Sequence, residues 1–252
     1  YAQNEPAECA TIPGVSLVLG NDHKLAVAQA ARELPRDSRS NQVPVRVDRL
    51  SSLPAALLNG YESRTRAFVQ IQQGCDQSCT FCVIHRARGQ SRSFDRQSVL
   101  RQIHTFVDQG YREIVLCGVD LGSYSDLSDH NRPEITSLTR LVQEIAALPG
   151  DFRVRLSSID PVHIEDPLLS ILAESNRFCP YLHVSLQSGS TLILKRMKRR
   201  YDAVFLMERL EAARERIGSL VLGADVMAGF PTETESDFRC TLEILKKANI
   251  VY

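Results

Sequence analysis

Apolar positions fall into two regimes along the chain. Ahead of residue 67 they are sparse. Residues 15–20 (VSLVLG) make a short β-rich run closed by Gly20. Asn21 or Asp22 can then cap a helix over about residues 23–33, with Leu25, Ala28 and Ala31 at helical spacing. One strand and one helix are too little to form a domain by themselves. Residues 34–62 hold Pro35, Pro44 and Pro54 with Ser and Arg between them, and read as a surface linker with room for a strand at 43–48.

From residue 67 onward the pattern becomes regular. Strand-like runs occur at 67–72, 113–119, 153–159, 181–187 and 219–227. Helical patterns sit between and after them at about 96–109, 136–148, 165–175, 203–216 and 234–248. Asp95 and Thr234 are placed as N-caps and Gly110 as a helix stop. Five βα units in succession imply a parallel sheet with right-handed crossovers. The eightfold barrel is the common home of such repeats, yet only five strands are visible, with a sixth starting at Ile250. The expected fold is α/β, a partial and open barrel with its site at the C-terminal ends of the strands.

Composition narrows the class. The chain has 252 residues, 30 Lys+Arg against 30 Asp+Glu, and is 43% hydrophobic. Those values argue against wholesale disorder, and no apolar run of roughly 18 residues suggests a membrane span. A neutral total means that any nucleic-acid footprint must be local. The seven cysteines are Cys9, Cys75, Cys79, Cys82, Cys117, Cys179 and Cys240. An odd count, with three packed into eight residues, does not resemble a secreted disulfide framework. A reducing, cytoplasmic setting and a metal site suit the cluster better, and the other four read as small buried hydrophobes. The chain starts at Tyr1 without Met or signal peptide and stops at Tyr252 on what looks like a strand, so it is expected to be a piece cut at both ends.

Cys75, Cys79 and Cys82 form a Cys-x3-Cys-x2-Cys motif directly after the run at 67–72. Three thiolates so close can hold three corners of a [4Fe–4S] cubane and leave the fourth iron open. The alternative is structural zinc, which wants four ligands; His85 could complete that set. Phe81 reads either as a loop anchor or as an aromatic wall against a cofactor base. Gly118 and Asp120 end the second run, where a glycine lets a ligand approach the backbone or simply makes a turn. Ser157 and Ser158 end the third run, and Gln187 and Ser188 the fourth; polar strand ends read as pocket lining. Asp225 stands inside an apolar run, where an unpaired charge is expensive, so it is expected to face a pocket or a buried cation. Lys195, Arg196, Lys198, Arg199 and Arg200 make a basic run whose bland reading is a solvated helix end. His183 reads as packed or hydrogen-bonded rather than catalytic. No phosphate-binding Gly-Lys-Ser/Thr loop and no nucleophile elbow occur.

Taken with FVQIQQGC (68–75), RARGQSRS (86–93), HVSLQSGS (183–190), ILKRMKRRY (193–201) and GADVMAGFPTETESDF (223–238), the cysteine motif resembles the radical S-adenosylmethionine (SAM) methylthiotransferases. The resemblance spreads over most of residues 64–252, and LSSIDP (156–161) draws it toward the branch acting on threonylcarbamoyladenosine of tRNA. The isopentenyladenosine-tRNA and ribosomal-protein branches are the near alternatives, and a non-catalytic, zinc-stabilised RNA-binding module is the alternative of another class. The resemblance implies a (β/α)6 radical SAM barrel over 63–252, a linker at 34–62, and residues 1–33 as the remnant of a flavodoxin-like N-terminal domain. It implies that SAM chelates the open iron and that one electron cleaves it to a 5′-deoxyadenosyl radical. That radical would take the adenine C2 hydrogen, with a second SAM giving the methyl group.

Sulfur would come through an auxiliary [4Fe–4S] cluster whose third cysteine falls just before Tyr1. The chain as given is thus expected to cleave SAM without inserting sulfur. The resemblance places the SAM amino group near Gly118 and Asp120, its ribose and carboxylate near the end of the fourth strand, its carboxylate on Arg199, and its adenine near Gly229. Arg86, Arg88, Arg92, Lys195, Lys198 and Arg200 become candidate contacts to tRNA phosphates. A flavodoxin or ferredoxin would donate electrons, and a monomer without membrane association is expected. His85 stands where the family usually has proline, which bears on loop rigidity.

Overall fold

The computed structural model describes residues 1–34, 42–48, 58, 60, 65–129 and 135–252. Most of the expected linker at 34–62 lies outside them. The N-terminal part contains α1 (Pro6–Thr11), β1 (Val18–Leu19), a 3-10 turn over Asn21–Ala26, α2 (Val27–Arg32) and β2 (Val45–Arg46). β1 and β2 pair in parallel. Neither Asn21 nor Asp22 caps a helix: Asn21 instead donates from Nδ2 to the Ala87 carbonyl at 2.6 Å. The apolar face assigned to Leu25, Ala28 and Ala31 is exposed, and Ala30 is the buried residue of α2. The cause is the tight turn ahead of α2, whose three residues per turn displace the 3.6-residue register.

The larger part runs β3 (Arg66–Gln70), β4 (Gln72–Gln73), α3 (Ile84–Ala87), β5 (Arg92–Ser93), α4 (Arg96–Asp108), β6 (Glu113–Cys117), α5 (Ser137–Ala146) and β7 (Arg153–Leu156). It continues with α6 (Asp166–Glu174), β8 (Tyr181–Gln187), α7 (Thr191–Arg196), α8 (Ala203–Arg216), β9 (Val221–Val226) and α9 (Glu235–Lys247). The five expected strands are β3, β6, β7, β8 and β9, and the five expected helices are α4, α5, α6, α8 and α9. The ladders β3–β6, β6–β7 and β8–β9 are all parallel. Single bridges Val154↔Phe178 and Ile159↔Val184 join β7 to the β8 side. The sheet order therefore follows the chain order, as right-handed βα crossovers dictate. The chain returns alongside β9 at its end: Val251 N–H donates to Leu222 and Ala224 N–H to Tyr252, each at 2.9 Å. This is the expected sixth strand beginning.

The strands form because Val, Ile and Leu dominate positions buried by flanking helices. Ala67, Val69, Ile114, Leu116, Val154, Leu156, Leu182, Val184 and Leu222 belong to one core with Ile103, Phe106, Leu141, Ile145, Leu168, Leu206 and Leu210 from the helices. Asp95 caps α4 through the Ser98 N–H, and Thr234 with Asp237 makes a full capping box on α9. Gly110 ends α4 with a positive φ of 89°. The result is an open part of a (β/α) barrel whose strand ends all point the same way.

Candidate functional site

The cysteine loop leaves the C-terminal end of β3 through a two-residue strand, β4, that pairs antiparallel with β5. Gly74 makes the turn possible. Its φ is 78°, and a Cβ there would stand 2.0 Å from the Gln90 carbonyl oxygen. Gln72, fully buried, organises the surroundings. Its Oε1 accepts from Val119 and Asp120 N–H, each at 2.9 Å, and its Nε2 donates to the Gly74 carbonyl at 2.8 Å and to Ser91 Oγ at 2.9 Å. One amide thus ties the end of β6 to both sides of the cysteine loop. Reading the sequence missed it, because three glutamines stand within four residues and nothing marks this one as the inward pointer.

Each sulfur accepts one N–H. Cys75 Sγ accepts from Gln77 N at 3.4 Å, Cys82 Sγ from Ile84 N at 3.5 Å, and Cys79 Sγ from Arg199 Nη1 at 3.5 Å. Donors aimed at sulfur stabilise thiolates and set the potential of iron–sulfur centres. Burial pushes the Cys75 thiol up, with Asp120, Cys79 and Cys82 adding to the rise, so these groups share one neighbourhood. Among the described residues no three His, Cys, Asp or Glu side chains gather closely enough for a single ion, His85 included. A zinc ion needs its ligands within about 2.3 Å of one point. A cubane carries its irons at separate corners and takes thiolates that are spread apart. Three thiolates, each with an N–H donor, are the donor set of a [4Fe–4S] cluster with one open iron, whereas structural zinc would want a fourth ligand.

The ends of the later strands surround this loop. Thr80 donates from N to the Met197 carbonyl at 3.2 Å and from Oγ1 to the Arg196 carbonyl at 3.0 Å. Arg199 is largely buried. It donates to Cys79 Sγ, to Tyr201 Oη from Nε at 3.2 Å, to the Ser185 carbonyl at 3.4 Å, and in a close contact to Asp160. Asp160 follows β7 within the LSSIDP segment, where nothing in the spacing marks it as a partner of Arg199. Asp120, buried, accepts from Ser123 Oγ at 2.7 Å and faces His163 Nε2 at 3.6 Å and Arg200 Nη2 at 3.8 Å. Ser157 ends β7 with a buried Oγ that has no hydrogen-bond partner among the described residues. A hydroxyl left open at a strand end is free to bond a water or a polar ligand.

Gln187 ends β8 with a φ of 64°, and its carbonyl accepts from Met227 N–H at 2.8 Å. Gly189 follows, so close to α9 that a Cβ would stand 2.5 Å from the Cys240 carbonyl oxygen. Gly118 packs on Gln72 and Leu121, and Phe81 is exposed beside Cys82.

Gly229 has a φ of 73° and donates its N–H to Glu233 Oε2 at 2.6 Å. Asp225 is expected to face a pocket or a buried cation; its side chain is 59% exposed, pairs with His183 Nε2 at 3.2 Å and accepts from Ser158 Oγ at 3.4 Å, so no buried cation answers it. The apolar residues of β9 lie on its other face and towards its start, so the carboxylate stays in water. His183 is hydrogen-bonded to Tyr181 Oη at 2.9 Å, in keeping with a supporting role.

The basic residues divide into two groups. Arg86 and Arg88 are exposed around α3, and Arg92 lies on β5. Lys24 joins this group: burial, then the charges of Arg88 and Arg92, lower its pKa. Lys195, Lys198 and Arg200 are exposed at and after the end of α7, with Lys198 in the left-handed region at a φ of 58°. Arg196 is engaged with Thr232 of the β9 loop, at 2.7 Å to Oγ1.

Comparison with known proteins agrees with this geometry. The family model described as the radical SAM superfamily matches residues 69–245. The threonylcarbamoyladenosine tRNA methylthiotransferase MtaB of Bacillus subtilis (strain 168) is 38% identical over 98% of this chain and 54% of its own. A tRNA-2-methylthio-N(6)-dimethylallyladenosine synthase of Corynebacterium urealyticum is 31% identical over 94% of this chain and 44% of its own. The chain thus spans about half the length of the curated relatives it matches. Among solved structures, the radical SAM methyltransferase TsrM of Kitasatospora setae, with cobalamin and a [4Fe–4S] cluster bound, superposes with a TM-score of 0.61 at 17% identity. It covers 86% of this chain and 39% of that one, and the likeness is one of fold. The [4Fe–4S] cluster and SAM are the cofactors of the superfamily, and the cysteine loop at the strand ends fits the first of them. With the family model matched over more than two thirds of the chain and the cysteine loop set at the strand ends, the chain belongs to the radical SAM superfamily.

Proposed function

We propose that the protein is a radical SAM methylthiotransferase that adds a 2-methylthio group to threonylcarbamoyladenosine beside the anticodon of tRNA. The observation that carries this reading is the 38% identity to a protein of that name along 98% of this chain. When bound, the cluster and SAM supply one-electron cleavage of a sulfonium and hydrogen abstraction from the substrate. The chain's own residues do the holding. Cys75, Cys79 and Cys82 supply thiolates, and the N–H groups of Gln77 and Ile84 with Arg199 steady their charge. Gln72 fixes the backbone of Val119 and Asp120 at the end of β6, where the SAM amino group would lie. Ser157 Oγ and the Gln187 turn offer further polar contacts. The exposed cations around α3, with Lys195 and Lys198 at the end of α7, would meet tRNA phosphates.

A cytoplasmic monomer served by a flavodoxin or ferredoxin suits this reading, and among the described residues no helix is long and apolar enough to cross a membrane. Nucleoside analysis of bulk tRNA from a deletion strain tests the proposal. Loss of the methylthio derivative of threonylcarbamoyladenosine is expected, and an unchanged profile refutes it. Loss of the dimethylallyladenosine derivative alone would reassign the substrate.

A further inference from the structure

The proposed substrate differs from that of the dimethylallyladenosine relatives in one respect that a site can read. Its N6 substituent ends in an amino-acid carboxylate and hydroxyl, where the other is hydrocarbon. A site that prefers the first needs a cation with open donors near the strand ends. Arg199 is unsuited, since its donors go to Cys79, Asp160, Ser185 and Tyr201. Arg196 is engaged with Thr232. Arg200 differs from both. Among the described residues only its Nη2 makes contacts: His163 Nε2 at 3.1 Å, and the carboxylates of Asp120 and Asp160 at 3.8 Å each.

Those two acids stand at the ends of β6 and β7, beside Cys75 and Arg199 respectively. They aim the guanidinium at the mouth of the site without closing on it. Nε and Nη1 have no partner among the described residues, and the side chain is 34% exposed. His163 Nε2, 3.1 Å from Nη2, packs the fork from the other side and orients it further.

We propose that Arg200 binds the carboxylate of the N6-threonylcarbamoyl group and thereby sets the preference for that nucleoside over hydrocarbon-modified or unmodified adenosine. This rests on the function proposed above. A planar fork held by one nitrogen presents its remaining edge to a carboxylate, and a charge-assisted pair of this kind discriminates by about tenfold or more. It replaces the expectation that Arg200 contacts a tRNA phosphate.

The test is equilibrium binding, by calorimetry, of cluster-loaded and SAM-saturated protein to anticodon stem-loop RNA. The RNA carries threonylcarbamoyladenosine, its carboxyl methyl ester, or plain adenosine. The unaltered protein should bind the acid at least about tenfold more tightly than the ester. Arg200→Gln should bring the acid-to-ester ratio close to one, and Arg200→Lys should keep part of it. An unaltered protein that binds acid and ester equally overturns the inference, and this arm stands even if a variant fails to fold. An Arg200→Gln protein that keeps the ratio while its SAM affinity falls also overturns it and places Arg200 on SAM instead. If the unaltered protein does not distinguish threonylcarbamoyladenosine from adenosine at all, the proposed function fails and the inference fails with it. If it does distinguish them and Arg200→Gln keeps that distinction, only the inference fails.

Discussion

The two ends of the parallel sheet are built on opposite plans. At the N-terminal end, Glu113 opens β6 and is nearly buried, its side chain 7% exposed. Strand register puts Arg66 and Arg153 beside it on either side, and Arg155 two residues further on. Arg153 Nε donates to it at 2.7 Å and Arg155 Nε at 3.0 Å, with Arg66 at 3.9 Å. Around them lies an open cleft of about 730 Å³. At the C-terminal end, three sulfurs collect donors, Ser157 Oγ is orphaned, and Arg200 keeps open nitrogens. Charge at the first end is answered by the chain itself. At the second end Asp160 and Asp120 are likewise paired, but Ser157 Oγ has no partner among the described residues. The contrast is the one expected of a barrel whose strand C-termini carry the site while the opposite end holds the fold.

Substitutions at the two ends should therefore dissociate chemistry from stability. The largest effect is expected from Cys79→Ser, which removes a cluster ligand together with the sulfur that Arg199 faces. Cluster absorbance and SAM cleavage should fall by more than about a hundredfold, beyond what loss of an outer contact does. The urea midpoint of the metal-free chain should hardly move. A large fall in that midpoint would blur the contrast.

Glu113→Ala should do the reverse. It leaves three guanidinium groups around an empty position and should cost about 2 kcal/mol in urea unfolding, with anaerobic cluster content intact. Acid should reveal the same carboxylate. Burial opposes ionisation of Glu113, yet the hydrogen bonds from Arg155 and Arg153 outweigh it and hold the carboxyl below its usual range. A depressed folded-state pKa contributes stability above the ordinary glutamate value of about 4.3, and that stability is lost as the pH falls through the lowered one. Stability measured from pH 6 to pH 3 should decline more steeply in the unaltered protein than in Glu113→Gln. Parallel curves would remove Glu113 from the account.

The smallest effect is expected at Asp225. Its exposed pair with His183 contributes little, so Asp225→Asn should change stability by less than about 0.5 kcal/mol. A larger loss would mean that β9 depends on that charge.

What could be read from the sequence was whatever depends on local pattern. Runs rich in Val, Ile and Leu such as EIVLCGV show as strands, and Asp95 and Thr234 show as caps because the capped N–H lies three residues away. The cysteine loop was legible because its ligands are close in sequence. Contacts between distant residues were not legible. Gln72 meets Asp120 across 48 positions, and Asp160 meets Arg199 across 39. No spacing rule predicts such pairs, since the fold alone brings them together. The exposure of Asp225 was misjudged for a related reason. An apolar neighbourhood in sequence does not say which face of the strand a side chain takes. α3 and α7 were hidden because each lies inside a segment read for its chemistry rather than its periodicity.

Thr80 grips the backbone of Arg196 and Met197 across 116 positions, and Arg199 from the same turn reaches Cys79. The cysteine loop and the basic turn are therefore one mechanical body. Displacing either segment breaks the hydrogen bonds of both, so the two can only move together.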